Sequence, residues 1–96
     1  MRVNVQIFGA QKLVEKMGNR GAGVVEFPGG TTTQMFKHLL AQHGFTWADF
    51  PVLVNWEENI NMYILHNDDI LLKADYGQKQ LADGDTLSFH IQSGCC

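Results

Sequence analysis

The 96-residue sequence predicts an α+β domain, a mixed sheet with one main helix packed across one face. Three observations carry that expectation. Val3, Val5 and Ile7 recur at every second residue near the start, the period of a half-buried strand. Leu87, Phe89 and Ile91 do the same near the end. Between them Met35, Phe36, Leu39 and Leu40 form a single apolar stripe at helical spacing. Strands flanking one strong amphipathic helix give that helix a sheet face to cover.

Taken in order, the first strand ends at Gly9, and Leu13, Val14 and Met17 predict a turn or two of helix over Gln11 to Met17. The Gly18-Asn19 and Gly21-Ala22-Gly23 stretches break it. Val24 to Phe27 reads as a second strand stopped by Pro28-Gly29-Gly30, close enough to the first to pair with it antiparallel. Thr31 and Gln34 stand at capping-box spacing and start the main helix, which Gly44 is placed to close. Phe45, Trp47 and Phe50 are expected to cap the core. Val52-Leu53-Val54 reads as a short buried strand, Met62 to Leu65 as another, His66-Asn67-Asp68-Asp69 as a polar turn, and Ile70 to Lys73 as strand or extended chain. An acidic turn at Leu81-Ala82-Asp83-Gly84 leads into the last strand, so residues 1–92 form one domain and 93–96 a flexible tail.

Composition sets bounds on function. With 45% hydrophobic and 18% charged residues the chain has the balance of a soluble globular domain. No apolar run approaches the roughly 20 residues that span a bilayer, and the alternating start has no signal-peptide character, so a cytoplasmic location is the expectation. The net charge of −3 is unevenly spread: residues 1 to 48 sum to +3 and residues 49 to 96 to −6. No basic cluster would neutralise phosphates, which argues against nucleic acid as a partner. Metal binding lacks support too. His38 and His43 are five apart, off the same-face spacing of a helical zinc pair, and two cysteines alone do not complete a four-ligand site. Gly29-Gly30 lacks the lysine of a phosphate-binding loop, and no nucleophile and base pair stands out in the sequence.

The tail Ser93-Gly94-Cys95-Cys96 carries the chemical interest. A carboxylate at the end of such a tail is a poor electrophile until it is transferred to the α-phosphate of ATP, when the acyl adenylate becomes open to attack by sulfur. Glycine, lacking Cβ, lets a tail thread a narrow slot in a partner. A thiol can instead carry sulfur as a persulfide, or form a mixed disulfide or thioester. Adjacent Cys95 and Cys96 cannot staple distant parts of the fold, so a structural disulfide is not expected.

Several segments, in order, resemble one family: Val5-Gln6-Ile7-Phe8-Gly9-Ala10, Phe27-Pro28-Gly29-Gly30-Thr31, Val52-Leu53-Val54-Asn55, Leu81-Ala82-Asp83-Gly84-Asp85 and the Ser93-Gly94 ending. Together they resemble the ubiquitin-like β-grasp sulfur carriers, which include the small subunit of molybdopterin synthase and the thiamine-pathway carrier. The resemblance covers nearly the whole chain. It implies adjacent, parallel first and last strands and a projecting tail. It also implies a non-enzymatic carrier that binds no cofactor itself. An E1-like adenylating enzyme uses ATP on the terminal glycine, here Gly94, and a thiocarboxylate then supplies a sulfur-accepting synthase subunit.

The chain departs from the family at the tail, where Ser93 replaces the usual first glycine and Cys95-Cys96 follow Gly94. Family chemistry therefore requires removal of Cys95 and Cys96, as by the metalloprotease that trims some similar carriers. Trp56 also stands where glycine is common. Alternation places Phe8, Ser88 and His90 on the face away from the helix, beside Ser93, where they would suit a partner interface. Two other readings stand beside the carrier: a β-grasp interaction module without covalent chemistry, and a carrier that uses the terminal thiols.

Overall fold

The computed structural model describes residues 1–50 and 62–91. Strands β1 (Arg2–Phe8), β2 (Ala22–Glu26), β3 (Met62–His66), β4 (Asp69–Ile70) and β5 (Thr86–Ile91) form one mixed sheet in the order β2-β1-β5-β3-β4. Helices α1 (Gln11–Met17) and α2 (Thr32–Gln42) complete a small α+β architecture. The first and last strands are adjacent and parallel, with Val5 beside Leu87 and Ile7 beside Phe89; the other pairings are antiparallel.

The expected periodicities place the core. Val3, Val5, Ile7, Leu87, Phe89 and Ile91 are all buried on the helix-covered face, where Met62 and Ile64 of β3 join them. Met35, Phe36, Leu39 and Leu40 bury the stripe of α2 against them, with the Phe36 and Phe89 rings 4.7 Å apart. Helix α2 starts as the sequence predicts: the Thr31 hydroxyl accepts from the Gln34 N–H, and the Gln34 side chain accepts from the Thr31 N–H. It ends with Gly44 N–H donating to the Ala41 carbonyl and Phe45 N–H to that of Leu40, the paired bonds of a Schellman motif. Phe50 is buried, while Phe45 and Trp47 pack partly buried against the core.

Some boundaries differ from expectation. β2 begins at Ala22, so Ala22 and Gly23 belong to the strand and not to the breaker before it. Backbone pairing with Gln6 and Val5 holds them there, which needs no side chain. Phe27 leaves the strand but still exchanges backbone hydrogen bonds with Met1. The turn after β3 is confined to Asn67 and Asp68, both with positive φ, while His66 and Asp69 pair across it. Such a two-residue turn of left-handed residues matches strand twist and suits Asn and Asp. β4 stops at Ile70 and Leu72 is extended, in line with the expected strand or extended chain, but Lys73 already belongs to a single 3-10 turn over Lys73–Asp75. The expected strand at Val52-Leu53-Val54 and the position of Trp56 lie outside the described residues.

Candidate functional site

The register of three central strands lines up a row of rings on the helix-free face. Phe8 of β1 pairs with His90 of β5, and His90 pairs with Tyr63 of β3. Neighbouring strands lie about 4.8 Å apart, close to the stacking distance of aromatic rings. The Phe8 and His90 rings stack at 4.7 Å and 22°, and His90 and Tyr63 stack at 4.4 Å and 3°. Phe8 and Tyr63 are 49% and 47% exposed. Ser88 projects from the same face two residues before His90, and its hydroxyl shares a 2.8 Å hydrogen bond with His90 Nε2. That bond and the two flanking rings fix the imidazole. Leu65, which pairs with Ser88, and Ile70, which pairs with Leu65 and is 61% exposed, extend the apolar surface.

The structure thus brings together Phe8, Ser88 and His90 as the alternation of β1 and β5 predicts. Tyr63 was missed. Its signal lay in the alternation of buried Met62 and Ile64 around it, but its place beside His90 needed the β3–β5 register, which the sequence does not specify. Ser93, Gly94, Cys95 and Cys96 lie outside the described residues.

The row stands at the C-terminal end of β5, where Gly9 governs the local path. Gly9 has φ +89°, and a Cβ there would fall on the Ile91 carbonyl. The end of β1 can therefore press against the end of β5 only with glycine at this position. In chemical terms, Ser88 and His90 place a hydroxyl against an imidazole, which the sequence did not single out as a pair. Among the described residues no carboxylate hydrogen-bonds to His90 to orient it as a base. Hydroxyl, imidazole, phenol and exposed aromatic carbon on one flat surface suit recognition of another protein.

The opposite end of β5 is fixed by a second polar group. Asp85, with its side chain 13% exposed, accepts from His66 Nε2 at 2.8 Å, from the Ala82 N–H at 2.8 Å and from Asn67 Nδ2 at 3.1 Å. Asn67 in turn accepts from the Thr86 N–H. His66 is therefore a cross-strand partner as well as a turn neighbour. Burial alone would raise the Asp85 carboxyl, but the hydrogen bonds from Ala82, His66 and Asn67 outweigh it and hold the group below its ordinary 3.8. A carboxyl lowered in the folded state stabilises the fold fully above its unfolded value. That stabilisation is lost as pH falls from about 3.8 through the lower folded value. Asp85→Ala is expected to cost about 1–3 kcal/mol at neutral pH, with the difference from the parent shrinking below about pH 4, as read from urea unfolding across pH.

Among the described residues no three His, Cys, Asp or Glu side chains gather as metal ligands, and no helix is long and apolar enough to cross a membrane. No protein-family model matches the chain, and comparison with curated proteins finds no significant match.

Proposed function

We propose that the chain is a β-grasp sulfur carrier that docks an E1-like adenylating enzyme through the Phe8–His90–Tyr63 face and presents Gly94 to it. One observation carries the reading: parallel β1 and β5 lie at the middle of a sheet ordered β2-β1-β5-β3-β4, with α2 across one face and an exposed aromatic row on the other, where β5 ends. This arrangement supports the β-grasp architecture that the sequence resembles. The exposed row beside the end of β5, the strand that precedes Ser93 in sequence, supports the docking reading.

The chemistry follows from the tail. Hydrolysis of the Gly94–Cys95 bond by a metalloprotease leaves the Gly94 carboxylate. That carboxylate attacks the α-phosphate of ATP held by the partner, releasing pyrophosphate. A sulfide equivalent then displaces AMP and leaves a thiocarboxylate for a sulfur-accepting synthase subunit. The carrier's own residues bind and orient: Phe8 and Tyr63 supply contact area, Ser88 and His90 supply directional polar contacts, and Gly9 keeps the β5 end in place.

The test is to mix protein ending at Gly94 with its adenylating enzyme and ATP. The expected result is an acyl-adenylate mass, converted to a thiocarboxylate when a sulfur donor is added. Absence of both masses would sink the proposal. The exposed row also favours a simpler role as an interaction module. In that case removal of residues 93–96 leaves partner binding and cellular phenotype intact, whereas a carrier loses its function.

A further inference from the structure

Among the described residues the outer edge of β2 combines unpaired backbone with a small hole beside it. Met1 and Phe27 exchange both backbone hydrogen bonds. In an antiparallel ladder the exchanging pairs alternate, so Val3–Val25 and Val5–Gly23 also exchange them. Ala22, Val24 and Glu26 then point their N–H and C=O groups away from β1. The β1 side agrees, since the Asn4 N–H turns from β2 to the Asp85 carbonyl. The Glu26 carbonyl accepts from His38 Nε2 at 2.9 Å. The Ala22 N–H closes the preceding 3-10 turn on the Asn19 carbonyl, while the Ala22 carbonyl, both groups of Val24 and the Glu26 N–H have no protein partner among the described residues.

Beside this edge, on the helix-covered face, lies a cavity of about 160 Å³ with apolar walls from Val5, Met17, Val25 and Leu39 and a polar side from Gln42 and His43. It exists because Gly23 supplies no side chain there. A Cβ at Gly23 would approach nothing nearer than the Met17 methyl at 3.8 Å. At the start of the strand, exposed Arg20 has no ion pair among the described residues.

We propose that this edge docks an extended peptide segment of a partner protein as a sixth strand, with an aliphatic side chain entering the hole beside Gly23 and an acidic residue meeting Arg20. Edge backbone groups recognise an extended chain, and a pocket for alternate side chains selects its sequence. A second copy fits less well. Two-fold pairing centred on Val24 sets Ala22 opposite Glu26 twice, and both Glu26 carbonyls are already held by His38. This surface is separate from the aromatic row and does not depend on sulfur transfer.

The test uses the full chain and a fluorescein-labelled peptide that alternates valine and threonine behind two aspartates, followed by anisotropy. Saturable binding is expected. Gly23→Val, which fills the hole at a position open to a strand residue, should weaken it at least about ten-fold. Val24→Pro, which removes an outward N–H, should do the same. Phe8→Ala should leave it unchanged. Both edge variants are expected to keep the parent circular dichroism spectrum. Absence of saturable binding, or binding insensitive to both edge substitutions, overturns the proposal. So does protein that sediments as a dimer through this edge and excludes the peptide.

Discussion

Phe36→Ala should lower the free energy of unfolding by about 3–5 kcal/mol. Phe36 is fully buried where α2 crosses the sheet, its ring 4.7 Å from Phe89 and 5.7 Å from Trp47. Truncation removes a large transfer contribution and leaves a cavity that neighbours on a helix and a central strand cannot collapse to fill. Small domains have only about 5–15 kcal/mol of stability in total, so the variant should unfold at markedly lower urea. Phe36→Leu, which keeps most of the volume, should cost under about 1.5 kcal/mol. Equal midpoints for the parent and Phe36→Ala would mean that α2 does not pack across the sheet as described.

The second large effect concerns docking. On the proposed carrier reading, replacing Phe8 and Tyr63 together by aspartate should weaken binding to an adenylating enzyme at least about 100-fold, since exposed aromatics in a flat patch are typical anchors and a buried unpaired carboxylate is costly. The fold should be little affected, because both side chains are about half exposed, at 49% and 47%, and cross-strand ring pairs contribute only about 0.2–1 kcal/mol each. Calorimetric titration reads the affinity and thermal unfolding reads the fold. Unchanged affinity in a folded double variant would place the partner on another surface.

Much of the scaffold was legible because its signals are local. The alternation of Val3, Val5 and Ile7, and of Leu87, Phe89 and Ile91, fixes which face of β1 and β5 is buried, and hence that Phe8, Ser88 and His90 share the other. The Thr31–Gln34 box and Gly44 act within a few residues of the ends of α2. What escaped the sequence depends on pairing between distant segments. Tyr63 joins the row only through the β3–β5 register, and Asp85 finds His66 and Asn67 from across the sheet. Gly23 looked like a breaker because glycine disfavours strands in isolation, yet backbone pairing to Val5 keeps it in one. The absent Cβ of Gly23 also makes the hole beside the β2 edge, a consequence visible only once α1 and α2 are in place.

The proposed chemistry converges on one bond, between Gly94 and Cys95. Intact-mass measurement of the protein purified from its native cell, grown under sulfur-demanding conditions, tests it most directly. The carrier reading predicts a species ending at Gly94, with part of the population showing oxygen replaced by sulfur. A full-length chain with unmodified Cys95 and Cys96 under those conditions would contradict it, and extra sulfur retained on a full-length chain would move the chemistry from the glycine carboxylate to the thiols.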